Sequence, residues 1–245
     1  MSNTHKPTTV HTSRTIMYAE LAKVMDHAIQ DDKYLDSLNL NVINKKTKSG
    51  IEKTTAYLTR LYNFDINHPP FKALKYFWQI SDEKDKPILA LLYAIGHDYL
   101  LSESIPVIID TKLGDKVTVE KLEENIESLY PNRFSDNTRK SEAQNIASSW
   151  KQAGFITGKV KNIRTQPDFS YHIVAFALFL AYLQDIRGEF LLSCKWVKSL
   201  CLSEAHIRQL AAEASLRDLL QYQFAGSVTS ISFNNLLNKL EINVI

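Results

Sequence analysis

Between Phe134 and Arg164 the chain reads FSDNTRKSEAQNIASSWKQAGFITGKVKNIR, a stretch rich in the side chains that hold nucleic acid. Arg presents a planar fork to phosphate or to a guanine edge. Asn and Gln bridge an adenine edge, and Lys contributes a point charge. The candidate contacts are Arg133, Thr138, Arg139, Lys140, Asn145, Ser149 and Lys151, with Gln152 beside them, followed by Lys159, Lys161 and Arg164. Six neutralised phosphates would make affinity fall on the order of 10³-fold between 50 and 200 mM salt. The competing reading is an ordinary amphipathic helix and hairpin. A second basic set comprises Lys45, Lys46 and Lys48, with Lys53 and Arg60 after them. Lysines flanking a helix N-terminus suit phosphate, and a solvated basic loop is the alternative.

Other chemistry finds little support. His97 and Asp98 are adjacent, so on a helix they point about 100° apart and do not face each other. No His-x₃-His spacing occurs among the seven histidines, and no metal or other cofactor is expected. Glu120, Glu123, Glu124 and Glu127 fall on one helix side without a second acidic cluster, and read as a solvated or partner-facing surface. Gly158 lies in GKV rather than in a phosphate-binding G-x-x-x-x-G-K-[ST] loop. An enzyme is therefore not expected.

Charge is unevenly distributed. The net value is +2, but residues 41–80 and 129–166 each carry +5 and residues 81–128 carry −6. Two basic segments about an acidic one suit an anionic partner or a mixed solvated surface. A protein-interaction scaffold is the competing function, with segment 81–128 and an aromatic face at Phe77 and Trp78 as its docking surfaces. The longest apolar run, Ile173 to Leu183, falls short of the ~20 residues that span a bilayer, so no membrane association is expected. Two cysteines, Cys194 and Cys201, and an N-terminus without an apolar stretch suggest a reducing cytoplasm. Seven residues apart, these cysteines would share one side of a helix.

The elements that must position the basic residues are mostly helices. Apolar residues recur at helical spacing over 16–29, 51–62, 71–80, 88–100, 119–129, 170–185, 189–202 and 203–215. A further short helix is expected around 34–43. Residues 102–113 fit a strand or a short helix. Ser135 or Asp136 caps a helix whose apolar stripe is Ala143, Ile146, Ala147, Trp150 and Ala153, and Gly154 supplies its left-handed stop. Residues 155–164 then form a short ribbon. Alternation on either side of Ala225-Gly226-Ser227 predicts a C-terminal β-hairpin. The expected fold is mainly α: residues 1–15 flexible, an N-terminal helical bundle over 16–113, a unit over 114–166, and a C-terminal helical region with the hairpin over 167–245.

The order of capped helix, Gly stop and basic ribbon resembles the last helix and wing of a winged-helix module. Three segments together are similar to the BrxA family of bacteriophage-exclusion (BREX) defence systems: SDNTRKSEAQNIASSWKQAGFI at Ser135–Ile156, INKKTKSGIEKTTAYLTRLY at Ile43–Tyr62, and FLLSCKWVKSLCLSEAHIRQLAAEAS at Phe190–Ser215. The resemblance covers most of residues 16–233 through diffuse motifs. It implies a mostly helical, non-enzymatic accessory protein, part of it likened to the bundle of the antiterminator NusB. It would act beside a DNA methyltransferase, an ATPase and a phosphatase-like protein. Double-stranded DNA binding would carry over to Arg139, Lys140 and Asn145. The NusB likeness leaves RNA binding as a further alternative.

Overall fold

The computed structural model describes residues 8–159, 161–226 and 228–243. Val160 of the expected ribbon, Ser227 of the hairpin turn, the chain's last two residues and residues 1–7 of the N-terminus lie outside that range. The chain is mainly helical. α1 (Tyr18–Ala28), α2 (Tyr34–Asn39), α3 (Lys48–Tyr62) and α4 (Pro69–Ile80) lead to α5 (Lys86–His97), buried continuously from Ile88 to Ile95. α6 (Tyr99–Glu103) and α7 (Ile105–Asp110) are short; α8 (Val119–Leu129) and α9 (Asp136–Gln152) are longer and pack on each other. β1 (Ile156–Thr157) and β2 (Ile163–Arg164) form the ribbon. α10 (Tyr171–Tyr182) and α11 (Lys195–Ser199) flank a 3₁₀ turn at Gly188–Ser193. α12 (Glu204–Ser215), the hairpin of β3 (Gln221–Ala225) and β4 (Val228–Ser232), and α13 (Asn234–Lys239) complete the chain.

The helix α10 is apolar on every side, as a helix surrounded by protein must be. Ile173 through Ala181 are all buried, and α10 packs on α4, α5, α11 and α12. The expected division into three regions therefore ends in one shared core: a helix of the C-terminal region fills the N-terminal bundle. Trp78 and Phe77 lie inside that core, at 2% and 0% exposure, so the docking face expected of them does not exist.

One segment resolves an open choice and another departs from expectation. Residues 105–110 are helical, because Pro106 sits in the first turn where its fixed φ favours a helix. Ile105 and Ile108 then turn inward together. Residues 189–202 do not form one helix. Cys194 is extended (φ −70°, ψ 162°) and restarts the chain as α11, which lets the Trp196 indole donate to the Leu92 carbonyl at 3.0 Å. Cys201 lies past α11 with φ 54°. The cysteines are free and do not share a helix side, and burial raises both thiol pKa values.

Candidate nucleic-acid interface

Local sequence builds the helix-and-ribbon unit as its caps predict. The Thr118 hydroxyl accepts from the Lys121 amide at 3.2 Å to start α8, and the Ser135 hydroxyl accepts from Thr138 at 3.3 Å to start α9. At the other end of α9, Gly154 takes φ 83°. Its amide donates to the Lys151 carbonyl, and the Phe155 amide to that of Trp150, a Schellman ending. The predicted stripe is inside: Ala143, Ile146, Ala147, Trp150 and Ala153 are all buried. The chain then turns through Gly158 (φ 89°) into β2. Residues 114–117 add a third extended segment on the far side of β2. The Gly114 amide donates to Arg164, the Arg164 amide to Asp115 and the Val117 amide to Asn162. Lys116 bridges Ile163. The order is thus extended segment, α8, α9, β1, β2.

Residues 8–15, expected to be flexible, are a strap packed along one flank of α9. Val10 and His11 are buried. The Asn145 amide donates to the His11 carbonyl at 2.8 Å. Gln152 accepts from the Tyr18 amide and donates to the Thr15 hydroxyl. The Ser149 hydroxyl accepts from the Ile16 amide at 3.0 Å, contacts the Asn145 carbonyl, and lies 2.9 Å from His11 Nε2. On the ring's other side, His11 Nδ1 lies 2.9 Å from Asp98 Oδ2. Asp98 also accepts from the Thr9 hydroxyl, from the Val10 amide at 2.7 Å and from the Leu101 amide at 3.1 Å. Burial alone would raise the Asp98 pKa. The charge and hydrogen bond of His11, with the two backbone amides, outweigh it and hold the carboxyl below its ordinary value.

Asp98, His11 and Ser149 stand in the order of a hydrolase triad, yet the row is closed to substrate. Ser149 is wholly buried and its hydroxyl already occupied by backbone groups. The row fastens the strap to the core. Beside it, Glu142 is also wholly buried, and neither carboxyl oxygen has a partner among the described residues. Burial, and then the Asp98 charge, lift its pKa to about 7 against the opposing effects of Arg133 and His11.

These contacts redraw the expected interface. Ser149 and Asn145 are spent on the strap and cannot face DNA. Arg164 is only 3% exposed; its guanidinium donates to the carbonyls of Ile108, Phe155 and Thr165 and to the Gln166 side chain, joining the ribbon to α7. Arg139 lies 2.6 Å from Glu127 and 2.7 Å from Asp136, which neutralise it. Thr138 meets the Ser135 hydroxyl within the cap. Arg133 is exposed, with its guanidinium 5.1–5.4 Å from the ring centres of Tyr99, Tyr130 and Phe134. In the second basic set, Lys45 pairs with Glu20 of α1 at 2.8 Å and Lys48 lies 4.0 Å from Glu52; Lys46 is exposed.

What remains is a strip of α9 one residue over from the expected one. Asn137, Lys140, Ser141, Gln144, Ser148 and Lys151 span a sector about 100° wide at 3.6 residues per turn. None is buried. Lys140, Lys151, Lys159 and Lys161 have no ion-pair partner among the described residues, and Lys159 and Lys161 are exposed on the ribbon. Among the described residues no group of His, Cys, Asp and Glu could hold a metal, and no helix is long and apolar enough to cross a membrane. No family model, curated protein or solved structure matches the chain.

Proposed function

We propose that the chain binds duplex DNA through the exposed strip of α9 and the adjoining ribbon. The observation that carries this reading is the set of four unpaired lysines, Lys140, Lys151, Lys159 and Lys161, on one helix and the ribbon that follows it directly. The order of extended segment, two helices and ribbon supports a winged-helix reading, in which the second helix enters the major groove. Gln144 and Asn137 are the strip's amide side chains, each able to bridge a base edge with a donor and an acceptor; the lysines hold phosphate. With about four phosphates engaged, binding is dominated by the backbone and only weakly sequence-selective.

The chain serves, on this proposal, as a non-enzymatic accessory component of a bacteriophage-exclusion defence assembly, as its resemblance to the BrxA family implies. Fluorescence anisotropy with duplex DNA at 50 mM salt, against structured RNA as competitor, tests the binding. Saturable duplex binding that RNA displaces poorly supports it. No binding to the duplex, or preference for the RNA, refutes it.

A further inference from the structure

A further cleft lies away from the α9 strip. It has a volume of about 620 Å³ and opens between the C-terminal end of α3, the start of α4, the α5–α6 junction and α11. That volume fits the usual range of small-molecule sites, roughly 300–1,000 Å³, and exceeds what a simple oxyanion fills. Most of its lining residues carry polar groups, and two cationic side chains border it, Arg60 and Lys195. Arg60 has no ion-pair partner among the described residues, and its guanidinium lies 5.7 Å from the Tyr57 ring centre. Lys195 reaches the Ile95 carbonyl at 3.2 Å, which leaves further ammonium hydrogens for an acceptor in the cleft.

The same lining holds polar atoms left over from folding. Glu103 accepts from the Tyr130 hydroxyl through Oε1 at 2.6 Å, while its Oε2 is enclosed without a partner among the described residues. His68 Nδ1 is likewise enclosed and unpartnered. His97 Nδ1 is engaged with the Tyr93 carbonyl at 2.9 Å and the ring stacks on Tyr93 at 4.2 Å, which leaves Nε2 as its free nitrogen. Burial lowers the pKa of both histidines, and the charged side chains of the lining are Arg60 and Lys195 with Glu103 and the strap-bound Asp98. Tyr99 adds an aromatic ring. Buried polar atoms cost free energy until a partner arrives. A ligand matched to this wall has an anionic group for the two cations, a planar body for Tyr99, and an N–H donor for Glu103.

We propose that this cleft binds a nucleoside monophosphate, with Arg60 and Lys195 taking the phosphate and Glu103 taking an amino-bearing base. Guanine is the base that offers a carboxylate two adjacent N–H donors. The group can come from a free nucleotide or from the 5′ end of a strand, and the assay separates these sources. This site is independent of the α9 strip.

Isothermal titration calorimetry of the full chain with guanosine monophosphate, guanosine and inorganic phosphate tests it. The expected result is one site for guanosine monophosphate, with guanosine and phosphate each bound at least about tenfold more weakly. Arg60→Ala and Glu103→Gln, both at non-core positions, each weaken the nucleotide by about tenfold or more, with unchanged circular dichroism and unchanged duplex binding. Competition by a strand with a 5′-terminal guanylate identifies a strand end as the ligand; its absence identifies the free nucleotide, and both sustain the site. Absence of nucleotide binding at millimolar concentration overturns the proposal. So does binding that both variants leave intact, or phosphate alone binding as tightly.

Discussion

Asp98→Ala isolates the fastening of the N-terminal strap. Asp98 is 1% exposed, accepts from the Thr9 hydroxyl and the Val10 and Leu101 amides, and lies 2.9 Å from His11 Nδ1. Its removal leaves two buried amides without an acceptor and a buried imidazole without the carboxylate beside it. Breaking a buried pair of this kind costs about 3–5 kcal/mol. A chain of this length shifts its Tm by about 2–4 °C per kcal/mol, so a fall of about 6–20 °C is expected by thermal circular dichroism at pH 7. The strap loosens as well, so trypsin cleaves after Arg14 several-fold faster. The sign of the pH dependence follows from the depressed pKa of Asp98. The carboxylate contributes fully above its unfolded pKa of about 3.9 and loses its contribution as pH falls through its lower folded value. The gap between parent and variant therefore narrows in acid below that point. A Tm change under about 2 °C at pH 7, with unchanged cleavage after Arg14, would falsify the fastening role.

Four other substitutions separate the roles assigned around α9. Glu142→Gln removes an enclosed acid whose pKa is lifted from 4.5 to about 7. The raised pKa means stability declines as pH rises through that interval, so the substitution stabilises at pH 8, on the order of 1 kcal/mol, and has little effect at pH 4. Equal effects at both pH values would contradict the assignment. Asn145→Ala lowers Tm with a loss of about 1 kcal/mol through its bond to His11. It leaves duplex affinity unchanged, while Gln144→Ala does the reverse; binding titrations and melts on the two variants decide between these outcomes. Gly154→Ala costs about 1 kcal/mol or more, because φ 83° is unfavourable for alanine and the added Cβ would approach the Pro167 Cβ at 3.4 Å. A denaturant midpoint equal to the parent's would show that the Schellman ending contributes nothing.

Helix existence was legible where apolar spacing, a cap and a breaker agreed, as at α9, and spacing alone located α8 and α12. Thr118, Ser135 and Ser203 each accept the hydrogen bond their position implies. The hairpin followed from alternation about Ala225-Gly226. The 189–202 region misled because the hydrophobic pattern is also met by a 3₁₀ turn and a short helix broken at Cys194. Two of the α9 residues expected to face a ligand, Asn145 and Ser149, lie on the flank covered by the strap. At 100° per residue, Ser149 lies near the edge of the apolar stripe rather than opposite it. The decisive partner, a polar strap containing His11, sits more than 130 residues away in sequence, and its composition resembles that of a frayed terminus. Glu142 and Ser149, seven apart on one flank, were the available hint that the buried sector of α9 is wider than its apolar residues. The long-range bonds of Arg164 left no local signature.

The most direct test of the α9 strip is the salt dependence of duplex binding in the parent chain and in the Lys140→Ala, Lys151→Ala, Lys159→Ala, Lys161→Ala variant. Each phosphate contact contributes about 0.9 to the slope of log affinity against log salt. The expected parent slope is near −3.6, with an affinity loss on the order of 10²-fold between 50 and 200 mM, and the variant's slope is near zero with its melting temperature retained. A variant that binds with the parent's slope and affinity would place the DNA elsewhere and refute the proposed strip.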